Sequence, residues 1–234
     1  MISYSYLSRC FSYIWEQIKH KTYFMNKTIL ALILCLTISL SSKGQDIKTV
    51  FTAMPSKIVY GITPKMKEFL LDEPSDTTRF VSTAIHPNIK RIAIDSDYIA
   101  LQTSEMGSTQ IKLLPLINGS KIVCLVQSVS GTISDSRISF YTETWEAIPQ
   151  ANLFPEKNIE WFIKEDADKT SEEYTQAINS LTMLPMQFIL SADENKVDIK
   201  FDAKSFLPKE FYKILEPYLT QEAKTLIWDK TRFK

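Results

Sequence analysis

Glycine, histidine and cysteine are all scarce in this chain, which has five, two and three of them among 234 residues. The glycines are scattered, whereas a phosphate-binding loop groups them so that backbone N–H groups can approach the ligand. A structural zinc site needs clustered cysteine and histidine, and after residue 44 one of each remains, Cys124 and His86, which cannot close a typical site. We therefore expect no nucleotide loop, no metal site and no cofactor.

Long hydrophobic runs are also lacking, and the most apolar stretch, residues 29–40, is too short to cross a membrane. It has about 12 residues, whereas a bilayer requires roughly 20. Lys27 precedes the stretch and small residues follow it as far as Gly44. This order is typical of a secretory signal peptide. We therefore predict that residues 25–44 direct export to the periplasm or beyond, with cleavage between Gly44 and Gln45 and no stable membrane span afterwards.

Residues 1–24 stand in front of this signal segment, although a signal peptide normally begins the chain. We predict that translation starts at Met25 and that residues 1–24 are a mis-annotated extension, with a start at Met1 as the alternative. Cys35 is not expected to carry a lipid, because Leu34 precedes it and the apolar run continues beyond it. The protein is therefore not expected to be a lipoprotein.

Residues 45–234 have one cysteine, Cys124, so no disulfide can form within them. It lies in an apolar run and is expected to be a buried, inert thiol. These residues carry 22 basic and 26 acidic side chains. This mildly acidic balance does not provide the positive electrostatic field that attracts nucleic acid. A chain of this length can bury a full core. We predict a single α+β domain over residues 45–234, with residues 152–168 as the place where it could divide.

The first half of this domain has the pattern of an antiparallel sheet. Thr63 and Pro64 favour a helix start, and the apolar spacing continues it to Leu71. Five strands with short links then follow, at residues 91–94, 98–102, 110–116, 121–129 and 137–141. Asn118 and Gly119 predict a type I′ turn, because both residues tolerate positive φ.

The second half alternates helices and strands. The spacing Thr170-x-x-Glu173 has the form of a capping box and predicts a helix after it. A second hairpin is predicted over residues 186–191 and 196–202, then a helix that Pro217 ends and a short strand at 225–228. The resulting fold class is α+β, an antiparallel sheet of a meander plus a second hairpin, with about three short helices packed on one side.

Candidate catalytic residues are few. His86 is the one histidine after residue 44, and no nucleophile-elbow pattern surrounds any serine. Asp95 and Asp97 could hold a cation or act as acid and base, but a polar turn between two strands is the stronger interpretation. An enzymatic role is therefore the weaker interpretation.

Aromatic residues are the remaining surplus. Tyr141, Trp145, Trp161 and Phe162 fall near the end of the meander and in the loop that follows. Clustered there, they could stack on a sugar or a peptide and form a ligand-binding site. The alternative is that they pack in the core, as most large aromatic side chains do.

Several segments resemble the DUF3256 family of exported Bacteroidales proteins. They are residues 47–55, 110–116, 120–124, 135–136 and 138–142, together with Trp145. The resemblance implies export in a Gram-negative bacterium and assigns no catalytic residue. Asp76-Thr77-Thr78 also resembles the short O-glycosylation motif of such exported proteins, which makes Thr77 a candidate modification site.

Two functions follow as expectations. The first is an exported, non-enzymatic binding or accessory module, whose partner would be an envelope protein or a glycan. The second is a periplasmic hydrolase that uses carboxylates or His86.

Overall fold

The computed structural model describes residues 45–72, 79–82 and 89–234. The predicted sites His86 and Thr77 and the predicted signal segment lie outside the described residues. Gly44–Lys234 forms one compact unit. Within the described part of the chain, no helix is both long and apolar enough to span a membrane.

The largest element is a seven-stranded antiparallel meander in which every strand pairs with its neighbour along the chain. Its strands are β1 (Arg79–Val81), β2 (Ile89–Ile94), β3 (Tyr98–Gln102), β4 (Gly107–Pro115), β5 (Lys121–Ser130), β6 (Ser134–Thr142) and β7 (Ala147–Ile148). The five predicted strands are confirmed, whereas the short edge strands β1 and β7 were not predicted. β5 buries consecutive residues from Ile122 to Val126 because both faces of this large sheet are covered.

The turn between β4 and β5 differs from the prediction. Gly119 has φ of 83°, but Asn118 is not among the residues with positive φ, so a type I′ turn does not form. The Leu116 carbonyl accepts the Gly119 N–H, and the Asn118 side chain accepts the Ser120 N–H at 3.1 Å. This side-chain bond holds Asn118 in its turn, so that positive φ is needed at glycine alone.

Two helices cover one face of the large sheet, which we call the helical face. α1 (Ile47–Ala53) begins at Asp46, whose carboxylate accepts the Thr49 N–H, and it was not predicted. α2 (Pro64–Leu71) begins as predicted, with Thr63 accepting the Met66 N–H. The apolar side chains that these helices share with the sheet include Val50, Phe51, Leu70, Ile99, Ile111, Leu113, Val123 and Leu125. Each fully buried side chain of this size contributes about 1.5–3 kcal/mol to folding.

A second, three-stranded antiparallel sheet covers the opposite face, which we call the sheet face. Its strands β8 (Gln187–Leu190), β9 (Lys196–Lys200) and β10 (Lys224–Ile227) lie in the order β10-β9-β8. The predicted second hairpin is confirmed, and it pairs with β10 to form this separate small sheet. Cys124 packs in this core and is buried as predicted.

Three further helices accompany the small sheet: α3 (Glu172–Asn179), α4 (Ala203–Phe206) and α5 (Lys209–Leu215). α3 is capped by Ser171 and not by Thr170, because the Thr170 hydroxyl donates to Asp168 at 2.6 Å. α5 passes into a 3-10 turn at Glu216–Tyr218, where Pro217 stops the helix.

Residues 152–168 also belong to this side of the molecule. They contain the 3-10 turn Ile159–Phe162, and the side chains of Phe154 and Phe162 are buried in the same core. The α+β class is thus confirmed, and the helices are divided between the two faces of the large sheet. Both faces of the meander are apolar, so both require a cover.

Candidate functional site

Asp95 and Asp97, the predicted catalytic aspartates, form structural contacts at the turn between β2 and β3. Asp97 forms an ion pair with Lys112 at 2.9 Å, and the same ammonium group donates to the Ala192 carbonyl at 2.6 Å. Lys112 is almost fully buried, so this pair ties the turn between β2 and β3 to the small sheet. Asp95 accepts the N–H of Ser96, which is a local turn contact.

The four predicted aromatic residues do not form one cluster. Tyr141 and Trp145 lie on the helical face with ring centroids 5.4 Å apart, and the Trp145 indole donates to the Val50 carbonyl at 2.9 Å. Phe162 is 1% exposed and packs against Phe201 in the core of the sheet face. Trp161 and Tyr141 are both half-buried, and Trp161 lines the groove described next.

Trp161 lines a groove of about 450 Å³, which we call the Trp161 groove. One wall is the segment that follows the 3-10 turn, and the other is the segment that leads into β10. The lining residues are Trp161, Ile163, Lys164, Glu165, Asp166, Thr220, Glu222, Ala223 and Lys224. An edge-on contact with Phe154, with centroids 6.5 Å apart, supports the Trp161 ring from the core side.

A short antiparallel bridge between Ile163 and Leu219 joins the two walls. The Lys164 N–H donates to the Tyr218 carbonyl at 2.9 Å, and the Thr220 N–H donates to the Phe162 carbonyl at 2.8 Å. The Lys164 ammonium donates to the Pro217 carbonyl at 2.7 Å. These bonds fix the floor of the groove.

The charges in the Trp161 groove are largely uncommitted. Glu165, Asp166 and Glu222 are exposed, and none of them forms an ion pair with another residue that the structure describes. Lys224 is half-buried in the second wall, and it also forms no ion pair with another described residue. The groove therefore combines an aromatic face with carboxylates on both walls, and it is acidic on balance.

Two other hollows are present in the described structure. The larger, of about 570 Å³, is a wide depression along the polar side of α3, where Phe211 is the one aromatic residue and Glu172 the one charged residue. The other, of about 400 Å³, lies at one end of the large sheet and contains Arg137. The Trp161 groove is the hollow of these three that joins an aromatic ring to charges on two walls.

Metal binding and thiol chemistry find little support. Among the residues described, no group of three or more histidine, cysteine, aspartate and glutamate side chains could hold a metal ion. Burial in the apolar core raises the pKa of the Cys124 thiol far above its usual value, which keeps the thiol protonated and unreactive.

The chain is similar to proteins whose function is not known. A family model described as "Protein of unknown function (DUF3256)" matches residues 39–233, and it spans both sheets and the three hollows. The chain is also similar to a solved structure, a domain of an uncharacterized protein from Porphyromonas gingivalis W83, with 26% identity and a TM-score of 0.71. The similarity covers 80% of this chain and 96% of that domain. No curated protein matches the chain.

Proposed function

We propose that this chain, which belongs to the DUF3256 family, is an exported, non-enzymatic binding module that holds a glycan in the Trp161 groove. Family membership was expected from the sequence and is confirmed. A source among the Bacteroidales and a location in the periplasm or outside the cell are parts of the same proposal.

Export is supported by the signal-like segment of residues 25–44 and by the compact unit that starts at Gly44. We expect that expression of the full gene in a Gram-negative host yields a product whose N-terminal residue is Gln45. Intact-mass analysis of the periplasmic and culture fractions measures this. A full-length product that stays in the cytoplasm would contradict the export proposal.

The observation that carries the binding proposal is the half-buried Trp161 ring between two walls whose carboxylates form no ion pair with another described residue. An indole face packs against the C–H face of a sugar, and neighbouring carboxylates accept hydrogen bonds from its hydroxyl groups. The acidic balance of the groove disfavours acidic polymers, so we expect a neutral glycan.

The test is titration of the purified protein with neutral oligosaccharides built from hexose and from N-acetylhexosamine units. Trp161→Ala should abolish saturable binding, and Glu222→Gln should weaken it by about tenfold, because a charged acceptor is replaced by a neutral one. Tyr60→Ala is the matched control, because Tyr60 is an exposed aromatic residue outside the groove. Equal binding by all variants, or no binding to any glycan, would refute the proposal.

The carboxylates on opposite walls also favour one alternative, a glycoside hydrolase, because such enzymes use two carboxyl groups on either side of the scissile bond. Product analysis after long incubation separates the two functions. We expect the glycan to be recovered intact. Release of reducing ends that Glu222→Gln abolishes would replace the binding module by a hydrolase.

A further inference from the structure

A second hollow lies at the end of the large sheet, and we call it the Arg137 hollow. Its volume is about 400 Å³. It is lined by the ends of β4, β5 and β6, with residues Thr103, Gly107, Ser108, Thr109, Gln127, Ser128, Val129, Asp135, Ser136 and Arg137. Most of these residues have polar side chains and none is aromatic, whereas the Trp161 groove contains an indole ring.

The hollow begins where the helical cover of the sheet stops. Thr109, Gln127 and Arg137 are direct neighbours across β4, β5 and β6. They lie on the helical face, because Ile111 and Leu125, two residues away on their strands, pack under the helices. The Gln127 amide donates to the Ile58 carbonyl at 3.0 Å, in the loop between α1 and α2. Within this row Arg137 is exposed, whereas Gln127 is half-buried and Thr109 is buried.

Arg137 is the uncommitted cation of the hollow. Its side chain is exposed and forms no ion pair or side-chain hydrogen bond with any residue that the structure describes. Asp135, two residues earlier on the same strand, is already occupied. Its carboxylate accepts hydrogen bonds from the Lys157 ammonium at 2.7 Å and from the Met186 N–H at 2.9 Å. The guanidinium group therefore faces the hollow with its donors available.

Thr109 supplies the second observation. Its side chain is 2% exposed and lines the hollow, yet its hydroxyl forms no hydrogen bond with another described residue. A buried hydroxyl without a partner is unfavourable, and such groups are rare in native structures. A ligand acceptor held beside Arg137 would satisfy it.

Val129 is the aliphatic residue at the rim of the hollow, and it is 62% exposed. Met106 and Ile133 are exposed apolar residues of the adjoining hairpin ends. The Ser130 N–H donates to the Met106 carbonyl at 2.7 Å, which joins the two hairpin ends that carry these residues. Aliphatic side chains match an aliphatic neighbour better than a sugar ring, which stacks on aromatic rings.

We propose that the Arg137 hollow binds an acidic peptide segment, with a carboxylate on Arg137 and the Thr109 hydroxyl and an adjacent aliphatic side chain on the rim. A carboxylate fits the planar guanidinium group in a bidentate manner. The site is independent of the Trp161 groove, because the two hollows share no lining residue.

The test uses acetylated, amidated tripeptides that carry aspartate or asparagine between two leucines. Calorimetric titration of the full protein should show binding of the aspartate peptide about tenfold tighter than that of the asparagine peptide. Arg137→Gln should remove this preference, and Arg137→Lys should retain part of it. Arg232→Gln is the matched control, because Arg232 is an exposed arginine outside the hollow.

Thr109→Val adds an independent readout, because valine keeps the shape of threonine and removes only the unpartnered hydroxyl. It should weaken binding of the aspartate peptide several-fold while raising the thermal midpoint of the protein. Trp161→Ala should leave peptide binding unchanged, so that failure of the glycan proposal and failure of this one are distinguishable.

Three results would overturn the proposal. They are no measurable binding of either peptide, a preference for aspartate that survives in Arg137→Gln, and binding of glucuronate that is as tight as that of the aspartate peptide. The last result would assign the hollow to a sugar acid instead of a peptide.

Discussion

The helical face of the large sheet is covered by α1 and α2, whereas the opposite face is covered by a second sheet. Different kinds of hydrogen bond hold these two covers on the large sheet. On the helical face, buried cationic side chains donate hydrogen bonds to the carbonyl groups at the C-terminal ends of α1 and α2. The Lys67 ammonium donates to the carbonyls of Thr52 at 3.0 Å and of Met54. Arg91 donates to the carbonyls of Leu70 at 2.8 Å and of Asp72 at 3.0 Å.

On the sheet face, side chains of the meander bond to the backbone of β8 and its flanks, at the free edge of the small sheet. The N–H groups of Met186, Phe188 and Leu190 donate to Asp135, Ser136 and Gln110, each at 2.9 Å. Gln110 also donates to the Phe188 carbonyl at 3.3 Å. These bonds leave the edge of β8 largely paired.

The difference follows from what each element exposes. The C-terminal end of a helix presents carbonyl groups alone, so only donors can satisfy it, and lysine and arginine offer nothing else. The edge of a strand presents N–H and C=O groups in alternation, so it needs acceptors and donors, which glutamine and serine supply together.

The largest expected effect concerns the helical face. Arg91→Met should lower the free energy of unfolding by about 3 kcal/mol, because the buried carbonyl of Leu70 and the partly buried carbonyl of Asp72 lose their donor. Lys90→Met is the matched control, since Lys90 is exposed on the same strand, and it should change stability by less than about 0.5 kcal/mol. Chemical denaturation of both variants measures the difference. Equal stabilities would show that the cation does not fasten this cover.

The next effect concerns the sheet face. Gln110→Leu should cost about 2 kcal/mol, because the Leu190 N–H and the Phe188 carbonyl both lose their partner. Gln102→Leu, on the neighbouring strand, should cost less than about 0.5 kcal/mol. Hydrogen exchange adds a spatial readout, since faster exchange at Leu190 with unchanged exchange in α1 and α2 is expected. Loss of exchange protection spread evenly over both faces would show that the two covers are not held independently.

The smallest effect depends on pH. Burial alone would raise the pKa of Asp135, but hydrogen bonds from Lys157 and from the Met186 N–H outweigh it and hold this pKa below its usual value. The stabilisation is therefore complete above the unfolded pKa of about 4 and is lost as pH falls through the lower folded pKa. Because Asp135 is more than half exposed, solvent screening limits the loss to less than about 1 kcal/mol.

Urea denaturation of the protein and of Asp135→Asn between neutral and acidic pH measures this contribution. The gap in stability between the two proteins should be widest near neutral pH and should close under acid. If the difference in stability stayed constant over the whole pH range, the Asp135 carboxylate would not contribute to holding the small sheet.

Local signals made much of the fold predictable from the sequence. Thr63 followed by Pro64 marks a helix start, and the alternation of Val197 and Ile199 with charged residues marks a half-buried strand. α1 was missed because it has only seven residues, although Asp46 is a good N-cap. The separate small sheet was missed because alternation shows that a face is buried and does not show which strand pairs with it.

The candidate site was predictable only in part. Trp161 was named as a candidate, but nearness in sequence grouped it with Tyr141 and Trp145, which pack in the other core. After β7 the chain crosses to the sheet face, so Trp145 and Trp161 lie in different cores of the described structure. The second wall of the groove comes from residues 220–224, far along the chain, and no local pattern in the sequence relates the two walls.

The most direct test of the account follows the indole N–H resonances during titration with the neutral glycans. Trp145 and Trp228 donate to the carbonyls of Val50 and Pro115, whereas the Trp161 indole forms no hydrogen bond with another described residue. We predict that a glycan shifts the Trp161 resonance saturably and leaves the other two in place. A Trp161 resonance that stays fixed throughout, or that shifts together with both buried tryptophans, would contradict binding in the Trp161 groove.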